Sequence, residues 1–250
     1  MDSVTQLLTI LVLLVVFTVN LIVRRRKATA LRPISGFTLL PKAAAASIES
    51  RRPLHLSFGG AALGSESTPL ALAASDFFYH ATRASTLSDA PPILTASDTT
   101  AIPLALDTLR RAYASRGMLS SYQPVKVRWY APGGRSLAFT AALMAMQREE
   151  QVMANFFSGS FGTEIALTLD AAQRDQRSTV VGSDQLEGQA VAYAMADHAL
   201  LGDELFAASA YLGQDYSSIN RSISVDVLRW LLVFAVFLLF LITALRGLGG

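Results

Sequence analysis

Two long apolar segments bracket this chain, and few architectures accommodate both. Leu7–Val23 runs 17 residues without a charge and is followed at once by Arg24-Arg25-Arg26-Lys27. At about 1.5 Å per helical residue, such a run covers roughly 26 Å, close to the roughly 30 Å of a hydrocarbon core. The second segment, Trp230–Leu245, is preceded by Arg221 and Arg229. It gains length from Val227 and Leu228, with Arg229 reaching back to the headgroups and Trp230 at the interface. The expected organisation is a folded domain tied to a membrane at both ends, by spans within 1–23 and 227–246. Lys and Arg near a span stay on the cytoplasmic side. Four basic residues follow the first span, whereas Met1–Gln6 contains Asp2 and no Lys or Arg. The chain therefore reads as a two-span protein of the cell membrane, its domain cytoplasmic and both termini outside. Arg246 alone argues the other way. A cleavable signal peptide would carry its positive charge before the apolar run, not after it.

The net charge of +2 hides an uneven distribution. Residues 24–52 hold eight Lys or Arg against one acid, Glu49, while residues 53–213 hold ten against fifteen Asp or Glu. A basic linker suits anionic headgroups, and equally suits simple determination of topology. A mildly acidic domain lacks the basic face that nucleic acid requires. The chain has no cysteine, which removes disulfides, thiolate metal ligands and cysteine nucleophiles. About 160 residues between the linkers suffice for one core. The expected limits are 24–52 for the basic linker, 53–213 for the domain and 214–226 for a second linker. Lys42–Arg52, after Pro41, reads either as a short helix or as linker.

From Pro53 onward, short apolar runs alternate with helical patterns. Strands are expected at Leu54–Phe58, Ile93–Ala96, Val125–Tyr130, Asn155–Phe157 and Thr179–Val181. Thr68-Pro69 has the form of a helix start. Ser97-Asp98-Thr99-Thr100 offers caps for a helix whose expected apolar face is Ile102, Leu106, Leu109 and Tyr113. A third helix, to about Met153, has apolar residues all round it: Leu137, Phe139, Leu143, Met144, Met146, Val152 and Met153. A helix of that kind is buried on more than one side, which points to a second subunit, the juxtamembrane segment or a long loop as cover. Phe139 and Met144 are the candidates for its outer side. Asp184 with Glu187 three residues on resembles a capping box, and the helix it opens is expected to run to Gly202, with His198 inside it. Five strand–helix units argue an α/β fold: a three-layer Rossmann-like or flavodoxin-like parallel sheet, flanked by the two transmembrane helices.

The phrases LHLSFGGAALG, PPILTASDTTAIPLALDTLRRAY, NFFSGSFGTEIALTLDAA and GDELFAASAYLG precede a terminal apolar helix. Together they resemble an uncharacterised bacterial family of membrane-anchored proteins, each carrying a single α/β domain of unknown function. The resemblance covers residues 53–245. It implies the arrangement above, and no activity, cofactor or site residue.

Ligands of open α/β sheets bind beyond the carboxyl ends of the strands, at helix N-termini. The candidate ligand loops are therefore Gly59-Gly60, Ser97-Asp98, Gly133-Gly134, Gly162-Thr163 and Ser183-Asp184. The competing reading is that these residues are the caps and turns every such loop needs. Gly59-Gly60-Ala61-Ala62-Leu63-Gly64 follows a strand but lacks the G-x-G-x-x-G spacing. Ser158-Gly159-Ser160-Phe161-Gly162 lies at a strand end but is not G-x-S-x-G. His55, His80 and His198 have no metal spacing. His55 is expected to pack inside a strand, the other two on helix surfaces. No catalytic set, metal site or cofactor is expected, and an enzymatic role is the less favoured reading. The expectation is a membrane-anchored scaffold that assembles with itself and with other membrane subunits. The alternative is a domain that binds, or acts on, a small anionic ligand.

Overall fold

The structure, a computed structural model, describes residues 33–213. Six strands form one wholly parallel sheet: β1 Leu54–Gly59, β2 Ile93–Ala96, β3 Val127–Trp129, β4 Ala154–Ser160, β5 Ser178–Ser183 and β6 His198–Leu200. Their spatial order is β3-β2-β1-β4-β5-β6. Of the two orders open to the sequence, this is the doubly wound Rossmann-like one, with the direction of winding reversing between β1 and β4. The helices are α1 Ser35–Ser50, α2 Thr68–Ser85, α3 Ala101–Ala114, α4 Leu137–Glu149, α5 Ile165–Arg174, α6 Leu186–Met195 and α7 Ala208–Leu212. Residues 32–208 form one compact unit.

Every residue from Leu54 to Phe58 and from Ile93 to Ala96 is buried, as in a sheet covered on both faces. One face carries Leu54, Leu56, Phe58 and Phe156. Phe58 meets Phe78 edge-on at 4.7 Å between ring centroids, and Phe156 meets Phe77 at 5.8 Å. Phe37 brings α1 onto the same cluster, 5.3 Å from Phe77. Each such side chain, fully buried, contributes about 1.5–3 kcal/mol. The other face carries Ile93, Phe157 and Val181. Over them lie Phe139, Leu143 and Met146 of α4, Ile165 and Leu169 of α5, and Ala192 of α6. Thus α1–α3 form one outer layer and α4–α6 the other.

Several elements differ from the sequence reading. The segment around Lys42–Arg52 is helical from Ser35, with Pro41 inside the helix. The buried side of α3 is Ala101, Ala105, Thr108, Leu109, Ala112 and Tyr113, so Ile102 and Leu106 lie only partly covered at its flank. The third strand is shorter than expected because Pro124–Lys126 forms a 3-10 turn before it. Asp184 does not cap α6: Gln185 holds the cap position and no side chain bonds there. That helix stops at Met195, and His198 opens a sixth strand. Phe139 is 3% exposed and belongs to the domain's own core, not to an outer side. The exposed side of α4 is instead Leu137, Ala138, Ala141 and Ala145, with Met144 half-buried. No helix among the described residues is long and apolar enough to cross a membrane. The expected spans, 1–23 and 227–246, lie outside the described residues.

Candidate ligand site at the strand ends

The winding reverses between β1 and β4, and a Rossmann-like sheet presents its crevice at their carboxyl ends. The residues that close this point come from three loops. Gly59 ends β1 with φ of +56°, a conformation glycine adopts without strain. A Cβ built on it would lie 2.4 Å from the Ser160 carbonyl oxygen. The Gly60 N–H donates to that same carbonyl at 2.9 Å. From the next loop, the Ser97 N–H and hydroxyl donate to the Gly59 carbonyl at 2.8 and 3.0 Å. Trp129 Nε1 in turn donates to the Ser97 carbonyl at 3.0 Å. On the β4 side, Ser183 Oγ accepts the Phe161 N–H at 3.1 Å and donates to the Phe161 carbonyl at 2.7 Å. Gln185 Nε2 donates to Ser160 Oγ at 2.8 Å, and Glu164 Oε1 accepts the Gly162 N–H at 2.8 Å.

The structure thus brings Gly59, Gly60, Ser97, Gly162 and Ser183 to one place. Asp98 lies beside them but turns back on its own loop, where Oδ1 accepts the Thr100 N–H and hydroxyl. Thr163 and Asp184 point outward and are exposed. Gly133 and Gly134 sit apart, in the exposed loop after the edge strand β3. Gln185 was not singled out in the sequence, and Ser160 only within the Ser158–Gly162 segment. Their pairing joins two loops 25 residues apart, for which no local signal exists.

A phosphate cradle needs backbone N–H groups left over for the ligand. The loop after β1 has used its own. The N–H of Gly60 goes to Ser160 O, that of Ala61 to Phe58 O and that of Ala62 to Ser67 Oγ. Leu63 donates to Thr100 Oγ1, while Gly64 and Ser65 both donate to Thr68 Oγ1. The hydroxyls of Ser67, Thr68 and Thr100 take the N–H groups of Ala62 to Ser65. A cleft of about 480 Å³ lies elsewhere, beside β6, lined in part by Ile34, Tyr193, Asp197, His198 and Glu204. Its Asp197 carboxylate is already bonded to the N–H and hydroxyl of Thr179.

Residues 2–248 match a single family model, DUF6754, a domain of unknown function. The chain belongs to that family. No curated protein and no solved structure matches it. Family membership takes in the α/β domain together with both flanking apolar stretches, and it adds no activity to the site geometry.

The titratable groups that the fold perturbs lie inside or behind the sheet, not in the crevice. His55 of β1 is fully buried, between Asn155 Oδ1 at 2.9 Å from Nδ1 and Thr95 Oγ1 at 2.9 Å from Nε2. The amide oxygen carries no proton, so Nδ1–H donates to it and Nε2 accepts from the threonine. Both bonds are met by the neutral ring. Burial pushes its pKa down to about 4, against the hydrogen bond to Asn155, and the Arg128 charge adds to the fall. On the β3 side, burial alone would raise the Glu150 carboxyl. Hydrogen bonds from Arg128 and Lys126 outweigh it and hold the group below the ordinary carboxylate range. These bonds tie the end of α4 to the edge strand. Among the described residues, no group of His, Asp and Glu could hold a metal ion.

Proposed function

We propose that this chain is a membrane-anchored assembly domain, which binds copies of itself through the outer layer α4–α6. One observation carries the reading. Helix α6, LEGQAVAYAM, has a single charge, Glu187, and one further polar side chain, Gln189; the rest of its surface is apolar. Only Gly188 and Ala192 are buried against the sheet layer. Its outward side holds Ala190, Ala194 and Tyr193, the last 77% exposed. A helix apolar over most of its surface is buried on more than one side, so its wet side calls for a partner. Ala138, Ala141 and Ala145 of α4 continue the same outer layer with small side chains that let another helix approach. A symmetric contact places each of these residues in the interface twice. The loop after β1, whose N–H groups from Gly60 to Ser65 are taken within the domain, speaks against the alternative, a small anionic ligand held there.

Tyr193→Asp tests the assembly. The side chain supports nothing inside the domain, so stability should change by no more than about 0.5 kcal/mol. The mass of the detergent-extracted particle should fall to that of a smaller species. If the variant keeps the wild-type mass, self-association through α6 is wrong.

The anchoring part of the proposal rests on the two apolar segments and on Arg24–Lys27. It places the domain in the cytoplasm, with both termini outside. The chain has no native cysteine, so single cysteines report cleanly. One at Ser3 should react with an impermeant maleimide on intact cells, and one at Ser120 only after lysis. The reverse pattern would overturn the orientation.

A further inference from the structure

Three loops at the amino ends of the strands are built alike. Helices α1, α4 and α5 are each closed by a residue of left-handed conformation: Arg51, Gln151 and Gln176, with φ of +54°, +51° and +52°. The N–H of the next residue reaches back to finish the last turn. Arg52 donates to Ser47 O at 3.3 Å, Val152 to Gln147 O at 3.1 Å and Arg177 to Ala172 O at 2.9 Å. An apolar side chain is the usual occupant of this position, where it packs on the helix it closes. Val152 conforms and is wholly buried. The other two loops place an arginine there. The strands that follow, β1, β4 and β5, are neighbours in the sheet, so the three loops stand side by side.

Cations at helix carboxyl ends are ordinary, and Arg52 is accounted for by the carbonyls it holds. Its Nε and Nη2 donate to Gln151 O and Val152 O at 2.6 and 2.9 Å, which ties the loop before β1 to the loop before β4. Arg177 is not accounted for in that way. Its side chain is 7% exposed, and its ion pair runs from Nη2 to the Asp175 carboxylate at 2.8 Å. Its Nε is buried and has no hydrogen-bond partner among the described residues. Burial lowers the Arg177 pKa, Asp175 opposes the fall, and the charges of Arg52 and Arg148 add to it. Arg148, in the last turn of α4, is exposed and makes no ion pair among the described residues. The Arg177 charge thus has two like neighbours and one opposite one. A buried charge needs compensation, and here positive charge is in excess.

We infer that Arg52, Arg148 and Arg177 form a binding site for a phosphate group, carried by a soluble molecule or by a lipid headgroup, at the amino ends of β1, β4 and β5. A phosphate brings the negative charge that the cluster lacks. Its several oxygens accept from more than one guanidinium at once. Arg148 is the exposed member, and Arg177 the buried one whose charge the ligand offsets. The site draws on side chains, so it does not need the backbone N–H groups that the loop after β1 has used. The inference is independent of self-association and of anchoring.

The test is equilibrium dialysis of the full detergent-extracted chain against labelled inorganic phosphate, with ionic strength held constant by chloride. Saturation at one phosphate per chain is expected. Arg148→Gln should weaken binding roughly tenfold, the loss of one charge-assisted contact. Arg110→Gln, which removes an exposed arginine of α3, should leave it unchanged. Asp175→Asn separates binding from folding. It removes the carboxylate that competes for Arg177, so phosphate should bind more tightly. Phosphate should also raise the melting temperature of this variant by more than that of the wild type. In vesicles of phosphatidylcholine, added phosphatidate displaces the label if a lipid headgroup is the source and leaves it in place if a soluble molecule is. Failure of the wild type to bind phosphate saturably would overturn the inference. So would equal affinities in Arg148→Gln and the wild type, or an Asp175→Asn protein whose melting temperature phosphate does not raise.

Discussion

Lowering the pH from about 7 to 4 is expected to cost the domain about 3 kcal/mol through His55 alone. The folded ring has its pKa near 4, against an ordinary value of 6.5. Between those two values the unfolded chain binds a proton at this position and the folded chain does not. Stability therefore rises with pH across the window. It is fully present above about 6.5 and is lost as the pH falls toward 4, at about 1.4 kcal/mol per pH unit for one proton. The direction follows from burial: a charged ring would lose its hydration inside the sheet, the hydrogen bond to Asn155 offsets only part of that cost, and the Arg128 charge adds to it. Other carboxylates also take up protons in this range, so the measurement is a difference. Denaturant unfolding of the detergent-extracted chain should lose more stability between pH 7 and 4 for the wild type than for His55→Gln. The glutamine cannot titrate, although it is less stable at pH 7. Equal losses in the two proteins would mean that the ring is not held neutral.

His55 also marks how far the sequence is readable. Its place inside a strand was evident from Leu54 and Leu56 on either side, and so was the strand's position in a buried sheet. Its partners were not, because Thr95 and Asn155 come from strands 40 and 100 residues away. The same division holds elsewhere. Ile93–Ala96 is recoverable to the residue, bounded by Pro92 and by the cap-rich Ser97–Thr100. The sixth strand is not, since Ala196-Asp197-His198-Ala199 continues an alanine-rich helical pattern. What stops the helix is a tertiary bond: Asp197 turns its carboxylate onto the N–H of Thr179 in β5. For α4 the sequence shows an excess of apolar residues but not which of them face the sheet, and Phe139 proves to be core. The candidate loops were legible as clusters of Gly, Ser and Asp. Whether their N–H groups are free was not, because the groups that fill them lie one loop further on, Thr100 for Leu63 and Ser183 for Phe161.

Gly159→Ala is expected to be the most damaging small substitution in the domain. The pairing of β1 with β4 slips at their carboxyl ends, where Ser57 faces Phe157 but Gly59 faces Ser160. Ser158 and Gly159 together lie opposite Phe58, so β4 carries a bulge. The bulge presses Gly159 onto the neighbouring backbone. A Cβ there would sit 1.9 Å from the Phe58 carbonyl oxygen and 2.4 Å from its carbon. Neither atom is the end of a side chain that can swing away, and β1 is held from the other side by β2. Relief requires β1 and β4 to separate, which breaks the Gly60–Ser160 bond and the Ser97 bonds to Gly59 that close the crevice. The cost is on the order of 4 kcal/mol or more, above ordinary overpacking and a large share of the stability of a domain this size. Gly134→Ala is the matched control: its Cβ meets nothing within 4 Å, and its effect should stay within about 0.5 kcal/mol. Thermal unfolding of both variants in detergent decides the matter. If Gly159→Ala melts with Gly134→Ala, the two strands do not approach as closely as the bulge requires. The crevice at their ends would then be more open than the hydrogen bonds around Gly59 and Gly60 imply. A folded Gly159→Ala protein with loosened loops would be the form in which to look for anion binding, because only there would the N–H of Gly60 be released from Ser160.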